Sequence, residues 1–299
     1  MNRLNLDQLS TFKDVIELGS FSAAADRLNL SQPAVSLQIR QLEARLGTAL
    51  IERIGRKAQP TAAGAELLAH AARIDAAVSA ALDAVTAYRG DAQARLRLGT
   101  GETACIFLLP PILKDLRRRF PQLEIIVTTG NTDDILPAVE DNRLDIGFVT
   151  MPAAGRALET TPVMDDEFVI VAPPAMELPK RLTPEALGKL PVMLFEPAGN
   201  TRRLVDEWFA RSNAVLRPVM SLGSVEALKE FVDAGLGCAI LPRMALGDSI
   251  THKTLIAHKP FAIRSLSPAL YRKLAIIVRR DKPLHRGLKQ LIAALKALK

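Results

Sequence analysis

Three changes of pattern along the 299 residues predict a multidomain α+β protein. Residues 1–60 read as short helices with tight turns that end in a small wing, the pattern of a winged helix-turn-helix. Residues 61–90 read as one long, Ala-rich linker helix. Residues 91–299 alternate strand and helix, which predicts an α/β unit, and this alternation runs twice, so two lobes are expected. Length agrees, because a prior of about 150 residues per domain gives two domains.

Composition excludes several classes. Hydrophobic residues make up 48% and charged residues 24% of the chain, the balance of a soluble globular protein. Aromatics are only 4%, so the cores must be built from Leu, Ile, Val and Ala. No run of 18 apolar residues exists, and the start, Met1 to Asp7, lacks the long apolar stretch of a signal peptide. Cys105 and Cys238 are the two cysteines, too few for a disulfide framework. A cytoplasmic protein without membrane contact is expected. The net charge of +7 does not locate a polyanion: residues 1–90 hold 10 Lys and Arg against 9 Asp and Glu, and the basic excess lies in residues 272–299.

In chain order, Leu6, Leu9, Phe12 and Ile16 recur at helical spacing, and Gly19 stops that helix. Ser22 is placed to cap a second helix, Ala23 to Leu28, followed by a short Asn29-Leu30 connection. Ser31 caps a third, with Pro33 in its first turn, Val35, Ile39, Leu42 and Leu46 as its buried stripe and Gly47 at its end. Leu50 to Ile54, a turn at Gly55 and a return to Pro60 make the wing. From Thr61 to Tyr88, Leu67, Ala71, Ile74, Val78, Ala81, Val85 and Tyr88 alternate spacings of four and three, the seam of a two-helix contact. Gly90-Asp91 closes it.

Beyond the linker, strands are expected at 96–99, 123–129, 145–149, 167–172, 192–195, 219–222, 237–241 and 273–279. Helices are expected at 110–120, 133–141, 201–212, 224–234 and 283–298. A parallel sheet follows from the alternation. Lobe I takes residues 91–161 and 268–299 and lobe II residues 162–267, with crossings near 150–162 and 260–272 and a cleft between the lobes.

The catalytic constellations are poor. His70, His252, His258 and His285 lack metal-ligand spacing, and there is no Gly-x-Ser-x-Gly elbow, so no metal, cofactor or catalysis is expected. Cys105 and Cys238 read as small buried hydrophobes. Gly99-Thr100-Gly101-Glu102-Thr103-Ala104 fits a dinucleotide fingerprint after a strand. Yet the next strand ends in Thr128-Thr129-Gly130-Asn131, with no acid for a ribose, and Pro110-Pro111 interrupts the helix a pyrophosphate would rest on. A dinucleotide-dependent enzyme and a simple small-molecule binding protein are therefore the weaker alternatives; the helix-turn-helix argues against both.

The run FSAAADRLNLSQPAVSLQIRQLEARLG at 21–47 closely resembles the N-terminal signature of LysR-type transcriptional regulators. So do Leu50-Ile-Glu-Arg53, Pro60-Thr-Ala-Ala-Gly64, Leu108-Leu-Pro110, Leu144-Asp-Ile-Gly147 and Gly235-Leu-Gly-Cys-Ala-Ile-Leu-Pro242. The resemblance covers essentially the whole chain in order. It implies a winged helix-turn-helix, a linker helix and an effector domain of two periplasmic-binding-protein-like lobes. It also implies double-stranded operator DNA as partner, a homodimer that assembles to a homotetramer, and RNA polymerase as a candidate contact.

The resemblance brings Ser31, Gln32, Pro33, Ser36 and Gln38 near DNA, with Arg40 toward phosphate and Arg53, Arg56 and Lys57 on the wing. The position after Ser36 is often basic in relatives and is Leu37 here, which favours a thymine methyl over a guanine. Family ligands lie between the lobes, which implies an effector site of Glu102, Thr103, Thr129, Thr150, Asn200, Thr201 and Arg202. Relatives commonly carry a small or hydroxyl residue at Glu102. Two helix starts, at Thr103 and Thr201, facing one gap suit a small polar carboxylate, and Glu102 favours one that also carries a donor. The DNA response would follow from a ligand-driven change in how dimers pair and bend DNA.

Overall fold

The computed structural model describes residues 4–55, 57–86, 95–197, 199–247 and 261–298. The chain divides into two compact units, Met1–Ala81 and Leu82–Lys299.

The first unit opens with α1 (Leu6–Leu18), capped by the Asn5 side chain and ended by Gly19 in the left-handed region. α2 (Phe21–Leu28) starts two residues earlier than the sequence suggests, because Ser20 and not Ser22 is the extended residue whose hydroxyl accepts from the Ala23 N–H. Phe21 packs on the core, which draws the helix start back to it. Asn29 is left-handed and turns the chain into α3 (Gln32–Leu46), capped by Ser31 and ended by Gly47. Val35, Ile39 and Leu42 meet Leu9, Phe12 and Val15 in a buried core. Each fully buried aliphatic side chain there contributes roughly 1.5–3 kcal/mol. Leu46, expected in that stripe, is 40% exposed, since the core ends one turn before the helix does.

The wing is an antiparallel pair, β1 (Ile51–Ile54) and β2 (Lys57–Pro60), turning at Gly55. Glu43 of α3 fastens it, its Oε1 accepting from the N–H groups of Leu50 at 2.8 Å and Ile51 at 3.2 Å. α4 (Ala62–Thr86) follows, with the Thr61 hydroxyl accepting from the Gly64 N–H. Gly64 is required by packing: a Cβ there would fall 2.1 Å from the Leu50 carbonyl oxygen. Along α4 the apolar seam divides. Leu67, Ala71 and Ile74 belong to the core of the first unit, and Lys13 of α1 pairs with Asp75. Val78, Ala81 and Val85 are exposed, and so is Leu82 beside the seam. Tyr88, Gly90 and Asp91 lie outside the described residues.

The second unit is built on one nine-stranded sheet in the order β4-β3-β5-β11-β6-β9-β7-β8, with β10 beside β6. These are β3 (Arg95–Thr100), β4 (Glu124–Thr129), β5 (Ile146–Thr150), β6 (Leu158–Ala172), β7 (Val192–Phe195), β8 (Met220–Leu222), β9 (Cys238–Pro242), β10 (Ala262–Ser265) and β11 (Tyr271–Arg279). The expected parallel sheet is mixed. β3 runs parallel to β4 and β5, and β7 parallel to β8 and β9, but β11 is antiparallel to β5 and β6, and β6 to β9. The cause is that the chain crosses between lobes as strands, and a returning strand must run opposite to the one that left. β6 pairs with β11 up to Glu167 and with β9 from Phe168, so the change of partner falls beyond the connection expected near 150–162.

Around the first half of this sheet lie α5 (Glu102–Phe107), α6 (Leu109–Arg119), α7 (Thr132–Glu140) and α11 (Arg286–Lys296). Around the second lie α8 (Pro184–Leu187), α9 (Asn200–Ala210) and α10 (Val225–Asp233). α8 and β10 were not expected; four residues each are too few to show a period. Among the described residues no helix is long and apolar enough to cross a membrane.

Candidate functional sites: the reading helix and the cleft

Gln32, Ser36 and Arg40 stand four residues apart on α3, so they share one face. Together with Phe21 and Arg53 they line an open groove of about 490 Å³ between α3 and the wing. The Gln32 amide donates to the Ser36 hydroxyl at 2.9 Å, which presents an amide and a hydroxyl as one polar pair. Arg40 Nε donates back to the Ser36 carbonyl at 3.3 Å, and the Arg53 guanidinium stacks over the Phe21 ring at 5.7 Å. Ser31 spends its oxygen on the Ala34 N–H as the α3 cap, and Pro33 is exposed in the first turn. Lys57 is exposed on β2 and Leu37 is 51% exposed on α3. Gln38 turns the other way, its Oε1 accepting from the Thr11 hydroxyl of α1. Arg56 lies outside the described residues.

In the second unit a cavity of about 370 Å³ opens between the two halves of the sheet. Glu102, Thr103, Thr129, Thr150, Asn200 and Thr201 all line it. Arg202 does not: its guanidinium donates to the Phe195 carbonyl and pairs with Asp206 at 2.9 Å. Two of the lining side chains are ties across the cleft. Glu102, on α5, accepts from the Ser224 hydroxyl at 2.8 Å and the Val225 N–H at 3.2 Å, and so caps α10 of the opposite lobe. Asn200, 2% exposed at the start of α9, donates to the carbonyls of Thr150 at 2.7 Å and Pro152 at 2.9 Å. Gly199 makes that approach possible, since it holds φ at +92° and a Cβ there would lie 2.6 Å from Asn131 Oδ1.

Sequence reasoning missed Arg272, which lines the cavity from β11 and is buried. Its Nε donates to Asp166 Oδ2 at 3.0 Å and its Nη1 to the Thr201 hydroxyl at 3.4 Å. Nη2 lies 2.8 Å from the same Asp166 oxygen without the alignment of a hydrogen bond. Burial lowers the Arg272 pKa, and Asp166 works against that fall. Its sequence signal is one Arg in a basic strand, which nothing local sets apart.

Both cysteines are held as thiols. Burial pushes Cys238 up to about 11, and burial with the nearby Glu102 charge raises Cys105. Among the described residues no cluster of three His, Cys, Asp or Glu is arranged to hold a metal ion. His285 caps α11, accepting from the Leu288 N–H, and His252 and His258 lie outside the described residues.

Comparison with known proteins joins the two sites. Residues 6–65 match the bacterial regulatory helix-turn-helix model of the lysR family, and residues 89–299 match the LysR substrate binding domain. The chain is 32% identical over 290 residues to the Uncharacterized HTH-type transcriptional regulator YeiE of Escherichia coli K12, covering 97% of this chain and 96% of that one. It is 31% identical over 295 residues to the HTH-type transcriptional regulator CbbR of Rhodospirillum rubrum, covering 98% and 96%. The crystal structure of CbnR, a LysR family transcriptional regulator, shares the fold with a TM-score of 0.75, 22% identity and coverage of 99% and 100%. CbnR in complex with its target DNA gives a TM-score of 0.74, again at 22% identity and 99% and 100% coverage. With both domain models matched in order and relatives aligned over nearly its full length, the chain belongs to the LysR family of DNA-binding transcription regulators.

Proposed function

We propose that this regulator is controlled by a small polar metabolite, a carboxylate, held in the cleft of its second unit. The observation that carries the reading is the pair of ties from opposite sides of one cavity, Glu102 onto α10 and Asn200 onto the end of β5. A ligand that bears on Thr103, Thr129, Thr150 or Thr201 must act on the same elements that set the spacing of the lobes. Differential affinity for two spacings is then converted into a change of dimer pairing and DNA bending. In this reading residues 1–60 bind the operator, 61–90 link and dimerise, and 91–299 hold the effector, with lobes at 91–161 plus 268–299 and at 162–267. The working form is a cytoplasmic homotetramer, a pair of dimers, that meets RNA polymerase at the promoter and acts by binding, without catalysis.

On the DNA side, Gln32, Ser36 and Leu37 read bases, while Arg40, Arg53, Arg56 and Lys57 hold phosphate. Ser31 and Gln38 act through α3, as its cap and as its contact with α1. Gln32→Ala is expected to weaken operator binding by about 1–3 kcal/mol and leave non-specific binding nearly intact. Arg53→Ala is expected to weaken both and reduce the salt slope by about one unit. Gel shifts in which Gln32→Ala binds its operator like wild type would misplace the reading face.

A further inference from the structure

Among the described residues the cleft carries four ionisable side chains, Glu102, Asp134, Glu196 and Arg272, three of them acids. Their partners decide what charge a ligand would meet. The two cation-like positions are already taken. The start of α10 receives both oxygens of Glu102, and the Arg272 guanidinium lies against Asp166, each buried to within 5% of full burial. Asp134 is partly used, with Oδ2 accepting from the Asn131 N–H at 3.1 Å. Glu196 differs from all of these. It follows β7 directly, it is exposed, and among the described residues its carboxylate has no hydrogen-bond or ion-pair partner. Gly223 opens the space beside it, because a Cβ there would come 3.3 Å from Glu196 Oε1.

Among the described residues that line the cleft, a simple anion would meet an unpaired carboxylate and no unpaired cation, so Coulomb repulsion is not offset. Donors for an oxyanion remain nonetheless. Arg272 uses its Nη1 only at 3.4 Å, on the Thr201 hydroxyl, and that hydroxyl still has its own proton to give. We propose that Glu196 is the specificity-determining residue of the cleft and that the effector is a small zwitterion of the α-amino-acid class, its ammonium on Glu196 and its carboxylate toward Thr201 and Arg272. This rests on the reading of the cleft as the effector site and narrows it from carboxylates in general to those with an amine. A volume of about 370 Å³ suits it, at the small end of ligand pockets, which run roughly 300–1,000 Å³.

Isothermal titration of the full-length protein with the twenty common amino acids, with α-hydroxy acids of matching side chain such as lactate for alanine, and with dicarboxylates tests the proposal. At least one amino acid is expected to bind, and its hydroxy-acid counterpart to bind about tenfold more weakly or worse, the scale of one charged hydrogen bond. Glu196→Gln, at an exposed position, is expected to keep the melting temperature and lose amino-acid affinity by a similar factor. If a hydroxy acid or dicarboxylate binds as tightly as any amino acid, and Thr201→Val weakens it, the amine requirement is overturned and the cleft keeps its role. If nothing in the panel binds at millimolar concentration, or if binding ignores both Glu196→Gln and Thr201→Val, the zwitterion proposal fails, and in the second case the cleft reading falls with it.

Discussion

At the scale of single residues, the side chains that hold the second unit together are ions answered from far along the chain. Asp145, 5% exposed, meets Arg97 Nη2 at 3.0 Å and Lys282 Nζ at 2.6 Å, and it also accepts from the Arg97 backbone N–H. Burial would raise its pKa, but the hydrogen bonds and charges of Arg97 and Lys282 outweigh that and lower it. A carboxyl whose pKa is lowered by folding stabilises the fold above its unfolded value, near 3.9, and loses that contribution as pH falls through the folded value. Asp145→Asn is expected to cost about 3 kcal/mol at neutral pH, because two half-buried cations lose their buried counter-ion. As pH falls below about 3.9, denaturant melts of wild type should approach those of the variant; a constant gap down to the lowest pH would contradict the role given to Asp145. Such pairings explain what the sequence concealed. Glu102 opens its own helix, yet it caps another 123 residues further on. Arg272 answers Asp166 across 106 residues. Glu196 is one exposed acid after a strand. Ser31, Pro33 and Gly47 were legible because capping and stopping are local.

At the scale of elements, periodicity found most helices and strands, and the errors share a cause. The strand alternation was legible, but strand direction was not, because a strand returning from the other lobe carries the same apolar pattern as one that continues. The linker shows the same limit. One seam of alternating fours and threes serves two surfaces, with Leu67, Ala71 and Ile74 on their own core and Val78, Ala81 and Val85 left open, Leu82 beside them. A charge at Ile74 would therefore test folding of the first unit and not assembly. Leu82 and Val85 are 62% and 66% exposed, and a run of apolar side chains in water on one helix marks a partner surface. Leu82→Lys is expected to leave circular dichroism unchanged and shift sedimentation toward smaller species, since a buried charge at a two-helix seam is strongly unfavourable. Unchanged sedimentation would move the dimer contact off α4. Gly64→Ala is expected to destabilise the first unit by more than the usual substitution, because the obstacle is the Leu50 backbone oxygen, which has no rotamer to yield.

At the scale of the whole molecule, a unit with a polar reading face and a unit with a ligand-sized cleft occupy one chain, and the linking idea is that occupancy of the cleft changes what happens on DNA. That coupling is an equilibrium property, so it must appear as a ligand-dependent change in DNA affinity or footprint. The direct measurement is fluorescence anisotropy of labelled operator DNA titrated with the full-length protein, with and without the amino acid found by calorimetry, for wild type and Thr201→Val. The account predicts that the ligand shifts the wild-type curve, and that Thr201→Val binds the same operator without ligand but no longer shifts. A wild-type curve indifferent to a ligand that saturates the protein, or an equal shift in Thr201→Val, would contradict it.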